Sequence, residues 1–232
     1  MLITPHPAIR IHHHAIGRER APLLVIDNVL ADPDRMVRKA ASRAFEKMPT
    51  MFPGIRAPAP PSYQNFLEAI LRPLLRDTFG LEPGRFMYPM CHFSLVTQAR
   101  ESLHVLQRLP HIDSVSRNGL ATVHYLFRGD WGGTDFYRHR HSGFEYVDES
   151  RHATYFDRLA QESRDEADVG SGYIDGDTSL FERIAGVEGV FNRLIVYRRN
   201  SLHSGKVGND KPLPADPMTG RLSINSFIDV VP

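Results

Sequence analysis

A chain of 232 residues that is 41% hydrophobic and 24% charged carries enough apolar material for one compact core. Its 28 basic and 27 acidic residues leave a formal net charge of +1, and no Lys/Arg run marks a nucleic-acid-binding tail. One cysteine, Cys91, excludes an internal disulfide and a cysteine-based zinc site, so any metal must be held by His, Asp or Glu.

The opening "MLITPHPAIRIHHHAIGRER" lacks the apolar centre of a signal peptide, and no segment reaches the roughly 18 apolar residues of a membrane span. A cytoplasmic protein without membrane or nucleic-acid partners is therefore expected. His12, His13 and His14 sit on or beside an exposed strand, where neighbours face opposite ways and do not share a metal. "PLLVIDNVL" (22–30) has the pattern of a buried strand. A helix follows from Asp32 as N-cap and Pro33 at the first turn, with Met36, Val37, Ala40, Ala41 and Ala44 at helical spacing. "MFPGIRAPAPPSY" (51–63) reads as a Pro/Gly-rich loop. A second amphipathic helix ends at Gly80, and Pro73 should kink or interrupt it.

From about residue 84 the texture changes. "RFMYPMCHFSLVT", "LATVHYLF", "TDFYRHRHSGFEYV", "NRLIVYRRN" and "GRLSINSFIDVV" are aromatic and β-branched runs separated by turns, of which "RGDWGGTD" (128–135) is the strongest. A helix over 149–167 interrupts the series, and a glycine-rich loop (168–179) follows it. This order predicts a single domain over 1–232: a strand and supporting helices (1–83) buttress a mainly β barrel or jelly roll (84–232) with one helical insertion.

"PHIDS" places His111 and Asp113 two apart, on one face of an extended segment. Two histidines and one carboxylate on one side of a six-coordinate Fe(II) leave three positions for a bidentate co-substrate and O₂. His203, 90 residues after the aspartate (203 − 113) and just past an apolar strand, is the candidate third ligand. Arg221 and Ser223 share a strand face. A guanidinium inside a barrel calls for an anion such as the distal carboxylate of 2-oxoglutarate.

"PHIDS", "ATVHYLF", "WGGTDFY", "NRLIVYRRNSLHSGKV" and "GRLSINSF" together resemble the Fe(II)/2-oxoglutarate-dependent dioxygenases, nearest the prolyl-hydroxylase-like branch, over roughly residues 84 to 230. The resemblance implies a double-stranded β-helix (jelly roll) with His111, Asp113 and His203 as iron ligands, Arg221 and Ser223 anchoring 2-oxoglutarate, and Tyr125 adding a hydroxyl. It implies hydroxylation of an amino-acid, peptidyl or small-molecule substrate with O₂, releasing succinate and CO₂. Arg221 lies 18 residues after His203 (221 − 203), about twice the family's usual gap, and a loop over 205–219 must fold back to bring it to the site.

A rival stands in "GTDFYRHRHSGFE". His139, His141 and Glu145 are similar to the first metal motif of the cupins, and His203 would complete a cupin-type metalloenzyme or sugar-binding barrel. The glycine expected after Glu145 and the Pro-Gly turn before the later histidine are missing. Arg138, His139 and Trp131 are the residues expected to meet substrate if this hairpin borders the pocket. A non-catalytic β-barrel interaction module is the third reading, and a homodimer remains open.

Overall fold

Proline and glycine punctuate the N-terminal third of this computed structural model, which describes residues 2–164, 169–208 and 211–231. Strands β1 (Arg10–Ile16) and β2 (Ala21–Asp27) form an antiparallel hairpin. β1 is exposed, including His12, His13 and His14, whereas Leu23 to Ile26 of β2 are buried. Helix α1 (Pro33–Ala41) begins where the Asp32 carboxylate accepts the Arg35 N–H at 2.9 Å, and it buries Met36, Val37 and Ala40. Helix α2 (Pro61–Leu71) buries Tyr63, Phe66, Leu67 and Leu71. Pro73 has no N–H for the helical ladder, so a 3₁₀ turn (Arg72–Leu74) intervenes before α3 (Leu75–Phe79). Gly80, at φ 60°, ends it in the left-handed conformation.

The Pro/Gly-rich run expected to be a loop contains a strand, β3 (Gly54–Pro58). It is the edge strand of the large sheet, paired along its length with β4 (Arg85–Val96) and on its outer side with Glu46 through a single bridge at Arg56. An edge is where a strand bounded by prolines is tolerated, because no second full ladder needs the N–H that proline lacks. β5 (Gly119–Tyr125), β6 (Gly133–His139), β8 (Arg193–Arg198) and β10 (Arg221–Val231) fall in the expected apolar runs, and a short β9 (His203–Gly205) forms just past the fourth of them. β7 (Phe181–Glu188) does not: seven of its eight residues are partly or fully exposed, so its sequence lacks a buried-strand signature. Helix α4 (Glu149–Glu162) starts at the Asp148 cap; residues 165–167 of the helix expected there lie outside the described residues.

The strands form two antiparallel sheets, β1-β2-β8-β5-β10-β4-β3 and β7-β6-β9. Strand alternation gives the large sheet two apolar faces. Leu24, Ile26, Leu120, Leu194, Val196, Leu222 and Ile224 pack against the helices with Met36, Tyr63 and Leu67. Leu23, Val25, Ala121, Tyr125, Ile195 and Tyr197 face the small sheet and meet its Phe136, Ile184 and Val187. Full burial of each Leu, Ile or Phe contributes about 1.5–3 kcal/mol, so both faces hold the sheet in place. The polar groups between the two sheets define the candidate site. No helix among the described residues is long and apolar enough to cross a membrane.

Candidate metal centre

The segment before β5 joins the small sheet. His111 N–H donates to the His203 carbonyl at 2.9 Å and His203 N–H returns to His111 at 3.0 Å. Asp113 N–H donates to the Arg199 carbonyl at 2.8 Å. These backbone bonds bring three side chains, far apart in sequence, to one place. Each of His111, Asp113 and His203 offers a donor atom, and the three atoms lie within 4.8 Å of one another. Asp113 stands 3.8 Å from His111 Nε2 through one oxygen and 3.5 Å from His203 Nε2 through the other. The two imidazole centroids are 4.5 Å apart.

The surroundings orient these donors. His203 Nδ1 donates to the Ser201 carbonyl at 3.0 Å, which fixes the tautomer and leaves the Nε2 lone pair free. Tyr197, with its centroid 4.7 Å from His203, and Phe136, 5.1 Å from Tyr197, form an apolar wall behind the ring. His203 is buried, and 53% of the His111 side chain is open to solvent. The His111 pKa is pushed down to about 4, first by desolvation and then by the neighbouring His203 imidazole, against the pull of Asp113. The neutral imidazole is the form that binds a metal.

Arg221 opens β10 and is buried. Its Nε donates to the Trp131 carbonyl at 2.8 Å, and its Nη2 donates to Gly133 at 2.8 Å and Lys206 at 3.3 Å. The loop after His203 thus returns to the strand it left, because Lys206 directly follows β9. Nη1 has no protein partner among the described residues. Desolvation lowers the Arg221 pKa, partly offset by Tyr125 and Tyr173. Tyr125 is buried, with its hydroxyl 2.7 Å from Thr134 Oγ1. Ser223 pairs with Tyr125 in the ladder and donates to Asn225 Oδ1 at 2.7 Å.

The hairpin expected to meet substrate is internally paired. Arg138 is buried, donates through Nε to Glu145 at 2.8 Å, and bonds Glu182 at 2.6 Å through Nη1. His139 has both ring nitrogens engaged, with Glu162 at 2.7 Å and Ser142 at 2.9 Å. Trp131 contributes its carbonyl to Arg221, and its ring packs among the residues between the sheets. Among the described residues, His139, His141 and Glu145 do not assemble a donor group, and His111, Asp113 and His203 do. Two surface clefts, one of about 410 Å³ beside Phe52 and His104 and one of about 540 Å³ beside Tyr173 and Lys211, are not lined by these three residues.

Arg56 escaped the sequence reading. It lies on β3, paired with Ser94, and its charge acts on Asp113, His111 and His92. The signal available was an isolated basic residue in a short extended run between prolines.

Fold and site together define a mainly β protein of two facing antiparallel sheets, with helices on the outer face of the larger sheet and a His-x-Asp pair and a distant His converging at one place. The chain belongs to a family of unknown function (DUF6445), whose model matches residues 7–228. No curated protein matches the sequence. Among solved structures, the chain is similar to HygX from Streptomyces hygroscopicus with nickel and 2-oxoglutarate bound, at 12% identity over 94% of this chain and 88% of that one, TM-score 0.52. It is also similar to SnoN, a non-heme α-ketoglutarate dependent epimerase from nogalamycin biosynthesis, at 12% identity over 90% and 78%, TM-score 0.48. A further HygX structure, with nickel, 2-oxoglutarate and hygromycin B bound, matches at 13% identity over 93% and 88%, TM-score 0.48. Of the three, the first supports a shared fold.

Proposed function

We propose that this protein is an Fe(II)- and 2-oxoglutarate-dependent oxygenase with a double-stranded β-helix core, nearest the prolyl-hydroxylase-like branch. It hydroxylates a small-molecule, amino-acid or peptidyl substrate in the cytoplasm, where a lone free cysteine such as Cys91 is stable. The observation that carries this reading is the convergence of His111, Asp113 and His203, on a fold shared with a protein crystallised with nickel and 2-oxoglutarate bound.

The donor set fits the metal. Two imidazoles and one carboxylate suit a divalent first-row ion and leave positions open. Separations of 3.5 and 3.8 Å need only a small contraction to the roughly 3 Å between adjacent ligands at about 2.1 Å from one ion. Bound there, Fe(II) would supply the O₂ activation that couples decarboxylation of 2-oxoglutarate to succinate and CO₂ with oxygen insertion into a substrate C–H bond.

The chain's own groups hold and orient. Arg221 keeps Nη1 for the distal carboxylate of 2-oxoglutarate, and its other bonds to three carbonyls fix the guanidinium. Tyr125 offers a hydroxyl from the same face. Ser223 assists once it releases Asn225. Tyr197 and Phe136 exclude water from the buried side of His203.

Anaerobic addition of Fe(II) and 2-oxoglutarate is expected to produce the weak visible charge-transfer band of the chelate. His111→Ala and Asp113→Ala are expected to lose that band and at least 100-fold in metal affinity while keeping the circular dichroism of the parent. A band that survives both substitutions would overturn the assignment.

A further inference from the structure

β3 and β4 set three polar side chains on the inner face of the large sheet and leave them without partners. Ladder register fixes the face. Arg56 pairs with Ser94, Ser94 pairs with Ser223, and His92 lies two residues before Ser94 on β4, so all four point the same way. Ile55, Ala57, Phe93, Leu95, Leu222 and Ile224, the alternate residues, all pack against the helices. Arg56 therefore faces the small sheet and the metal centre. Its Nε, the Ser94 hydroxyl and His92 Nδ1 are buried atoms with no hydrogen-bond partner, and Ser94 is fully buried.

Three unsatisfied polar atoms on two adjacent strands are costly, about 1–3 kcal/mol each, and more for a charged group. The guanidinium stacks over Phe52 at 4.1 Å, which holds its plane. No ion pair or unprinted contact engages it among the described residues. Desolvation lowers its pKa to about 10, only partly offset by Asp113, so the cation lacks a counter-charge of its own. A carboxylate is the group that can accept from a free guanidinium Nε–H, a hydroxyl and an imidazole N–H together.

That carboxylate is distinct from the one assigned to Arg221. β3 and β10 lie on either side of β4, and the two guanidiniums are held by different partners, Arg221 by the carbonyls of Trp131, Gly133 and Lys206 and Arg56 over the Phe52 ring. Phe52, the ring beneath the Arg56 guanidinium, also lines the surface cleft of about 410 Å³.

We propose that Arg56, with Ser94 and His92, is the substrate-recognition element of the oxygenase and selects a substrate bearing a carboxylate. This rests on the oxygenase reading and narrows its substrate class to carboxylic acids that seat the acid group on β3 and β4.

The test is calorimetric and needs no turnover. Protein loaded with Mn(II) and 2-oxoglutarate is titrated with a panel of three- to six-carbon monocarboxylates and amino acids, and with the primary amide of each. At least one acid binds, its amide binds at least tenfold more weakly, and Arg56→Gln weakens the acid at least tenfold. Arg56→Lys recovers part of that loss, since it restores charge without the fork, and 2-oxoglutarate affinity changes less than twofold. Thermal melts of both variants guard against misfolding. Acids and amides binding alike, no acid binding, or acid binding indifferent to Arg56→Gln overturns the inference alone. Loss of 2-oxoglutarate affinity in Arg56→Gln also overturns it, by assigning Arg56 to the co-substrate. Failure of the parent protein to bind Mn(II) and 2-oxoglutarate overturns the oxygenase reading, and this inference falls with it.

Discussion

At the scale of single residues, polar groups that are fully partnered must be separated from those that are not. His124 belongs to the first kind. It is fully buried on the helix side of the sheet, with Nδ1 3.0 Å from the Tyr63 hydroxyl and Nε2 3.2 Å from Asn192 Oδ1. Asn192 in turn holds Leu30 through both backbone groups. One neutral tautomer satisfies every bond: Nε2–H donates to the amide oxygen and Nδ1 accepts from the phenol. Desolvation pushes the pKa down to about 4, with Asn192 acting weakly the other way. The folded value lies below the unfolded value near 6.5, so between the two the unfolded chain binds more protons. The contribution is complete above pH 6.5 and is lost as the pH falls toward 4, to the extent of about 3 kcal/mol. Urea unfolding at pH 7 and pH 4 is expected to show that loss, and the slope attributable to this site is expected to vanish in His124→Gln. An unchanged slope would mean the imidazole is not held neutral.

At the scale of elements, the turn between β5 and β6 is the piece that decides whether Arg221 is positioned. Gly132 has φ 72°, and a Cβ there would stand 2.2 Å from the Lys206 carbonyl oxygen. At Gly133 a Cβ would stand 1.9 Å from the Val187 oxygen. Only glycines let three backbone segments close in, and the carbonyls of Trp131, Gly133 and Lys206 that hold Arg221 come from this junction. Gly132→Ala is expected to cost about 3 kcal/mol, the left-handed penalty plus the backbone clash. It is expected to weaken 2-oxoglutarate at least fivefold while sparing metal affinity, as separate titrations would show. Equal loss of both would place the turn's role elsewhere. The Gly-Gly pair was legible in sequence, as were α1, the break at Pro73 and the strands that bury their residues. β3 and β7 were not, because an edge strand and an exposed strand carry too few buried positions to show a period. Arg56 was hidden for the same reason: its importance comes from register with Ser94, and register is absent from a segment read as loop. Arg138 and His139 show the converse, since nothing in "YRHRH" reveals that Glu145, Glu182 and Glu162 engage them.

At the scale of the whole molecule, the two sheets need more than the apolar layer between them, because the β1–β2 hairpin forms the far edge of the larger one. Glu145, in the connection between β6 and α4, reaches that hairpin. Its carboxylate accepts the N–H groups of Arg18 and Glu19, both at 2.9 Å, as well as Nε of Arg138 at 2.8 Å. Gly17, at φ 68°, makes room, since a Cβ there would meet the carboxylate at 2.0 Å. Glu19 closes the exchange by accepting the Glu145 N–H at 2.9 Å and pairing with Arg151 of α4 at 2.7 Å. A buried carboxylate with this many donors fastens hairpin to core, and its removal leaves Arg138 buried with only Glu182, itself partly exposed. Glu145→Ala is expected to cost about 3 kcal/mol, at the lower end for breaking a buried pair because Arg138 keeps one partner, and to lower the melting midpoint by roughly 10 °C. The same variant separates two metal sites on one fold. If His111, Asp113 and His203 hold the metal, Fe(II) affinity at a temperature where both proteins are folded stays within twofold of the parent. If His139, His141 and Glu145 held it, affinity would collapse along with stability, because the lost carboxylate would be a ligand as well as a latch.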